Sequence, residues 1–174
     1  KNLSIVCFNE KQWIGNGLVI PSGPLREGLA ALKRANCAII NGEKNTDIEK
    51  RILSHNKEIK IFYTKYKAQN IDEFRNKKVI AFAGIGSPDS FFDLLKNNNI
   101  DILEKISFPD HYNYSDKELE NLINKAKENN TILLTTEKDY LRIEENYKKN
   151  INCLKIVVEI ENRNQFIEEI KKVI

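Results

Sequence analysis

The stretch Asp101-Ile102-Leu103-Glu104-Lys105-Ile106-Ser107-Phe108-Pro109-Asp110-His111-Tyr112, followed closely by Ser115-Asp116-Lys117-Glu118, decides the fold class. A strand-like run ends in a dense turn that holds one of the chain's two histidines. A helix start follows at once. Ser115 and Glu118 have capping-box spacing, and Leu119, Leu122, Ile123 and Ala126 then recur at i, i+3, i+4 and i+7. Strand, loop and amphipathic helix in that order make a unit of a parallel sheet.

The same alternation extends outward in both directions. Further apolar runs read as strands near residues 3–8, 36–41, 58–64, 78–83, 131–135 and 153–159. Leu25, Leu29 and Leu32 are spaced as a helix, as are Phe91, Phe92, Leu94 and Leu95. Phe166, Ile167, Ile170 and Val173 form a last amphipathic face. Pro24 after Gly23 and Pro88 after Ser87 stand where proline opens a helix. Residues 65–78 are polar and poorly periodic and read as the longest connection. Helices between strands predict an α/β fold: three layers, a mostly parallel sheet with helices on both faces. One α/β domain over 1–174 is expected.

The 174 residues suffice for such a core. With 41% hydrophobic and 30% charged residues, the chain is expected to fold. A net charge of +3 gives no case for nucleic acid and is compatible with an anionic membrane surface. No apolar run reaches the ~20 residues of a bilayer crossing, and no signal-peptide pattern is present. Cys7, Cys37 and Cys153 lie in apolar runs without metal-type spacing and read as reduced, buried thiols. There is no methionine, and Lys1 directly precedes a strand-like run. A fragment, or a chain whose upstream part is separate, is expected.

Ligands of doubly wound sheets bind beyond the carboxyl ends of the strands. Three polar motifs fall at such ends: Gly84-Ile85-Gly86, Phe108–Tyr112 and Thr135-Thr136-Glu137-Lys138-Asp139. Parallel strands put all three on one rim. His111 is the best candidate for proton transfer, because an imidazole titrates near neutral pH. Asp110 is its candidate orienter. The competing reading is a histidine held in a turn by hydrogen bonds. His55, in a Lys-rich stretch, reads as a solvated surface residue. Arg26 is expected in the first turn of a helix, where the dipole disfavours a cation. That leaves a nearby anion or a surface ion pair, with Glu27 as a candidate counter-charge. Lys138 is a candidate phosphate contact, against helix capping by Thr136 and Asp139. Gly15-Asn16-Gly17 reads as a tight turn, beside which Trp13 packs or joins a ligand surface. Gly84-Ile85-Gly86 lacks the third glycine of a dinucleotide fingerprint, and close backbone approach explains it as well. No GxxxxGK[ST] loop is present, so this chain has no triphosphate cradle of its own.

In order along the chain, Gly15-Asn16-Gly17, Pro21-Ser22-Gly23-Pro24-Leu25-Arg26-Glu27, Ala81-Phe82-Ala83-Gly84-Ile85-Gly86, Phe108-Pro109-Asp110-His111 and Thr135–Asp139 closely resemble the tetraacyldisaccharide 4'-kinase (lipid A 4'-kinase) family. The resemblance spans nearly the whole chain but only the C-terminal half of the family. It implies the C-terminal portion of a two-lobed, P-loop-kinase-like enzyme of lipid A biosynthesis. Such enzymes transfer the γ-phosphate of ATP, with Mg²⁺, to the 4'-hydroxyl of a tetraacyldisaccharide 1-phosphate.

The resemblance places the P-loop, the metal ligands and a hydrophobic anchor upstream of position 1, so ATP and Mg²⁺ would be bound mainly by an N-terminal half. Residues 1–35 are expected to pack with that half, and this chain alone is expected to be inactive. Catalytic roles carry over to His111 and Asp110, with His111 pairing with an upstream aspartate near the acceptor hydroxyl. Nucleotide or phosphate contacts carry over to Arg26, Glu27 and Lys138; no metal ligand is assigned. The implied partners are ATP, the lipid A disaccharide precursor and the inner-membrane surface at its cytoplasmic face, with no nucleic acid. The family usually has a second histidine where this chain has Tyr112. The alternative is a non-catalytic α/β binding or assembly module left from a split kinase gene.

Overall fold

A computed structural model describes residues 3–172; Lys1 and Val173, on which the sequence pattern also bears, lie outside the described residues. In chain order the elements are β1 (Ile5–Asn9), a 3-10 turn (Leu29–Arg34), β2 (Cys37–Asn41), α1 (Thr46–His55) and β3 (Lys60–Ala68). A second 3-10 turn (Ile71–Phe74), β4 (Lys78–Ala83), α2 (Pro88–Asn97), β5 (Asp101–Ser107) and α3 (Asp116–Glu128) follow. The rest are β6 (Ile132–Thr136), α4 (Glu137–Arg142), α5 (Glu145–Lys148), β7 (Asn152–Leu154), β8 (Ile156–Ile160) and α6 (Arg163–Lys171).

The strands form two four-stranded sheets, in the orders β1-β2-β3-β8 and β5-β4-β6-β7, where one sheet is expected from the sequence. The chain accordingly divides into two compact units. One holds the described residues up to Lys65 and from Val158 onward; the other is Tyr66–Val157. The single apolar run 153–159 is the place where the expectation fails, since it supplies β7 to one sheet and β8 to the other. Lys155 separates them for a local reason. Its N–H donates to the Asn70 side-chain oxygen at 2.8 Å, and its carbonyl accepts from Gln69 N–H at 2.8 Å. Both backbone groups are therefore used outside a strand ladder.

In the first unit β1, β2 and β3 are parallel and in register, Ile5 opposite Cys37 and Cys37 opposite Lys60. Ala38, Ile40 and Tyr63 pack with Ile48 and Ile52 of α1 and Leu32 of the 3-10 turn. Phe62 meets Phe166 of α6 edge-on, with ring centroids 5.0 Å apart. Asn45 starts α1 by accepting from the Asp47 and Ile48 N–H groups.

The helix expected from Pro24 does not form there. Residues 15–28 are a closed loop, and helical turns begin at Leu29. Asn16 holds the loop shut by donating to Ser22 O at 2.8 Å and accepting from Leu18 N–H at 3.1 Å. A side chain that satisfies backbone groups locally competes with a helix for them. A Cβ on Gly23 would lie 2.3 Å from both Asn16 Oδ1 and Leu18 O, so the closure needs glycine at that position. Trp13 packs on Phe8, with ring centroids 4.7 Å apart.

The second unit is built around β4, whose Val79–Ala83 are all buried. Side chains alternate across a strand, so β4 feeds two cores. Val79, Ala81 and Ala83 pack with Phe91, Phe92 and Leu95 of α2. Ile80 and Phe82 pack with Leu119, Leu122, Ile123 and Ala126 of α3. The result is the expected parallel sheet with a helix layer on each face. Both neighbours of β4 run parallel to it, with Ala83 opposite Ser107 of β5 and Phe82 opposite Thr135 of β6.

The thiols differ from expectation at one position: Cys37 is buried and Cys153 half-buried, but Cys7 is exposed. Burial, as the leading cause, pushes the thiols of Cys37 and Cys153 up from their ordinary pKa.

Phe82→Ala is expected to cost about 3–5 kcal/mol, as large-to-small core substitutions do. Leu103→Ala, at a β5 position that is 48% exposed, is expected to stay within about 0.5 kcal/mol. Urea denaturation of both variants measures the difference.

Candidate functional site

The parallel register of β5, β4 and β6 brings the three polar motifs to one carboxyl rim of the second unit. Gly84-Ile85-Gly86 leaves β4, Phe108–Tyr114 leaves β5, and Thr136–Asp139 leaves β6 to open α4. At this rim the Phe108–Tyr114 loop lies directly over the glycines. A Cβ on Gly84 would lie 2.9 Å from Tyr114 Oη, 3.1 Å from Tyr112 Cβ and 3.2 Å from Pro109 O, and one on Gly86 would lie 3.3 Å from Asp110 Oδ2. Close backbone approach is thus the reason for glycine at 84.

His111 occupies the tip of that loop with φ of 58°, a left-handed backbone uncommon outside glycine. Its N–H donates to Gly84 O at 3.1 Å and to Asp110 Oδ1 at 3.0 Å. Its ring is 76% exposed, with Nε2 3.8 Å from Asp110 Oδ2. Asp110 therefore fixes the backbone of His111 and sits loosely beside its ring. The imidazole is neither in a dry interior nor remote from the sheet's carboxyl edge. His55, by contrast, is half-buried, with Nδ1 2.9 Å from Arg51 O, and is a helix-end residue rather than a solvated one.

Tyr112 faces the protein. Its hydroxyl donates to Glu118 Oε1 at 2.7 Å, and its ring lies 4.9 Å from that of Phe108 and 5.4 Å from that of Tyr114. Glu118 also closes the expected capping box with Ser115. Hydrogen bonds from the Ser115 hydroxyl first, then Tyr112 and the Ser115 N–H, hold the Glu118 carboxyl below its ordinary pKa.

Asp139 is fully buried. Its Oδ2 accepts from Gly84 N–H at 3.0 Å and from Thr136 Oγ1 at 2.7 Å, while its Oδ1 pairs with Arg142 Nη2. The same Arg142 nitrogen donates to Gly84 O at 2.9 Å. Thr136 Oγ1 caps α4 by accepting from Asp139 N–H at 3.1 Å. The Thr136–Asp139 segment thus makes the expected cap and, in addition, a contact to β4. Lys138 is exposed, on the first turn of α4. The Tyr114 hydroxyl is buried and lies near Asp139, but it meets no partner in good hydrogen-bond geometry. Burial first, and the nearby Asp139 charge second, push it above the ordinary phenol pKa, so it stays protonated.

Asp110, His111 and Lys138 belong to this rim. Arg26 and Glu27 belong to the first unit. Arg26 is exposed in the closed loop rather than in a helix's first turn, so the dipole has no bearing on it. Glu27 pairs with Arg34 rather than with Arg26. Tyr114 and Arg142 belong to the rim but were not singled out from the sequence. The signals present are the aromatic series Phe108, Tyr112, Tyr114 and the i, i+3 spacing of Asp139 and Arg142.

Among the described residues no three His, Cys, Asp or Glu side chains cluster as metal ligands. No described helix is long and apolar enough to cross a membrane.

A parallel α/β sheet with its polar loops on the carboxyl rim is the class of fold that holds ligands at that edge. Comparison with known proteins gives the particular family. The family model described as Tetraacyldisaccharide-1-P 4'-kinase (LpxK) matches residues 1–174, and the chain belongs to that family. The tetraacyldisaccharide 4'-kinase of Pelagibacter ubique (strain HTCC1062) is 40% identical over 174 residues, covering 98% of this chain and 55% of that relative. That of Rickettsia bellii (strain OSU 85-389) is 39% identical, covering 99% and 53%. The crystal structure of the "apo" form of LpxK from Aquifex aeolicus in complex with ATP superposes with a TM-score of 0.66 at 26% identity, covering 99% of this chain and 53% of that one. The chain spans about half the length of the curated relatives it matches.

Two outcomes are expected. Tyr114→Phe removes a buried hydroxyl that makes no well-formed hydrogen bond, so stability stays level or rises by up to about 1 kcal/mol; thermal unfolding measures it. Glu118, with its folded pKa lowered, contributes stability above the ordinary carboxylate value of about 4.3, lost as pH falls through the lowered folded value. Glu118→Gln is therefore expected to flatten the acid side of the urea-midpoint profile below that pH.

Proposed function

We propose that this chain is the C-terminal half of a tetraacyldisaccharide 4'-kinase and lends His111 to the transfer of the ATP γ-phosphate to the acceptor 4'-hydroxyl. The observation that carries the reading is the exposed imidazole on the carboxyl rim, held by a backbone that only local hydrogen bonds make tolerable. Family membership supports the reaction class, and the ATP named with the Aquifex aeolicus structure supports the phosphoryl donor.

Phosphoryl transfer depends on positioning and charge stabilisation more than on covalent work by the protein. His111 takes the proton from the 4'-hydroxyl as its oxygen bonds to the γ-phosphorus, and ADP leaves with the electrons of the broken P–O bond. Asp110 restrains His111 and shares its charge when the ring is protonated. Arg26 and Lys138, both exposed, are the cations offered to phosphate, and Glu27 steadies Arg34 in the same stretch as Arg26. The triphosphate cradle and the Mg²⁺ ligands belong to the other half of the kinase, against which residues 1–35 pack. Mg²⁺, when bound there, neutralises phosphate charge; no step is assigned to it on this chain. The acceptor is a lipid precursor, so the working enzyme lies against the cytoplasmic face of the inner membrane.

In the two-half protein, His111→Ala is expected to lower turnover by about 10²–10⁴, the usual worth of general-base help, with ATP affinity little changed. Steady-state kinetics with ATP and acceptor varied separately checks it. Wild-type turnover in the variant removes His111 from the reaction.

A further inference from the structure

Thr136, Asp139 and Arg142 have no part in the function proposed above, yet they form a buried polar cluster at the rim. Asp139 has no exposed surface. Three contacts converge on Gly84. Asp139 Oδ2 takes the Gly84 N–H at 3.0 Å, and Arg142 Nη2 gives to the Gly84 carbonyl at 2.9 Å. The His111 N–H gives to that same carbonyl at 3.1 Å. Thr136 holds Asp139 in place from both sides, through Oγ1 to Oδ2 at 2.7 Å and through Asp139 N–H to Oγ1 at 3.1 Å. One residue of β4's end is thus fixed at its donor and at its acceptor by an internal ion pair, and the acceptor is what seats His111.

We propose that Asp139 and Arg142, with Thr136, clamp Gly84 so that its carbonyl holds the Asp110–His111 loop at the rim, which makes them positioning residues for the phosphoryl transfer. This rests on the reading of His111 as the base. Three physical points support it. A left-handed histidine costs energy and persists only where its surroundings over-determine it. The His111 ring itself is exposed and cannot supply that restraint. The ring has only a long, 3.8 Å approach to Asp110, so its placement depends on the backbone beneath it.

The donor inventory makes the clamp specific. Asp139 accepts on both oxygens. An asparagine offers one acceptor oxygen and one NH₂ group. In Asp139→Asn the NH₂ therefore faces Arg142 Nη2 or the Gly84 N–H, and both are donors. Arg142→Ala leaves the Gly84 carbonyl to His111 alone and the buried carboxylate without its cation. Arg142→Lys keeps a charged group able to donate to both oxygens that Nη2 now serves.

The test pairs two readouts. The first is hydrogen exchange of the His111 amide by NMR in the 174-residue chain, with Leu119 of α3 and Ile80 of β4 as references. The second is kinetics of the same variants in the two-half protein. In Asp139→Asn and Arg142→Ala, His111 exchange is expected to rise by about tenfold or more, as a local opening does, with the reference amides unchanged. Turnover is expected to fall by about 10²-fold, the cost of a misplaced group, at unchanged KM for ATP. Arg142→Lys is expected to recover most of both.

Unchanged His111 exchange in both variants overturns the clamp. Faster exchange at the reference amides as well also overturns it, since the cluster then only supports the core. Faster His111 exchange at full turnover, while His111→Ala is inactive, overturns the positioning role alone. Full turnover in His111→Ala instead overturns the reading of His111, and the positioning role falls with it.

Discussion

A buried carboxylate that accepts a backbone N–H at the end of the central strand is the contact on which the rim depends. Asp139 reaches from the first turn of α4 to Gly84 at the end of β4, two segments 55 residues apart in sequence. An ionised group out of water is tolerated only when paired and hydrogen-bonded. Here Arg142, Thr136 and the Gly84 N–H provide that. Satisfying the charge also fixes where β4 ends, and with it the seat of the Phe108–Tyr114 loop. Glycine at 84 follows from the same constraint, because Tyr114, Tyr112 and Pro109 occupy the space a side chain would need.

The layers of the second unit were legible because their cause is local and periodic. Strict alternation in Val79–Ala83 and helical spacing in Leu119–Ala126 each name one buried face, and the capping box at Ser115 forms as its spacing requires. The common rim of the three motifs followed from parallel strands alone. What could not be read depended on partners distant in sequence. Lys155 divides an apolar run because Gln69 and Asn70 take its backbone groups, and no pattern within 153–159 records that. The helix anticipated at Pro24 fails because Asn16, eight positions earlier, ties the loop shut. Arg142 was overlooked for the same reason: its meaning lies in Gly84, 58 residues away.

Of the candidate site residues, Asp110 and His111 lie as expected in a polar loop on the sheet's carboxyl edge. His111 is held by hydrogen bonds in a turn, through its backbone, and its ring is left free for chemistry. Tyr112 is committed to Glu118 and the aromatic cluster. That leaves His111 as the imidazole the loop offers. Arg26 retains its exposure but loses the helix-dipole rationale.

The most direct measurement is a crystal structure of the two-half protein with a non-hydrolysable ATP analogue and tetraacyldisaccharide 1-phosphate bound. His111 Nε2 is expected within hydrogen-bond reach of the acceptor 4'-oxygen, about 2.6–3.2 Å or through one water, with the Gly84–Asp139–Arg142 contacts intact. An acceptor hydroxyl that meets neither the imidazole nor a water bound to it would remove His111 from the proton transfer.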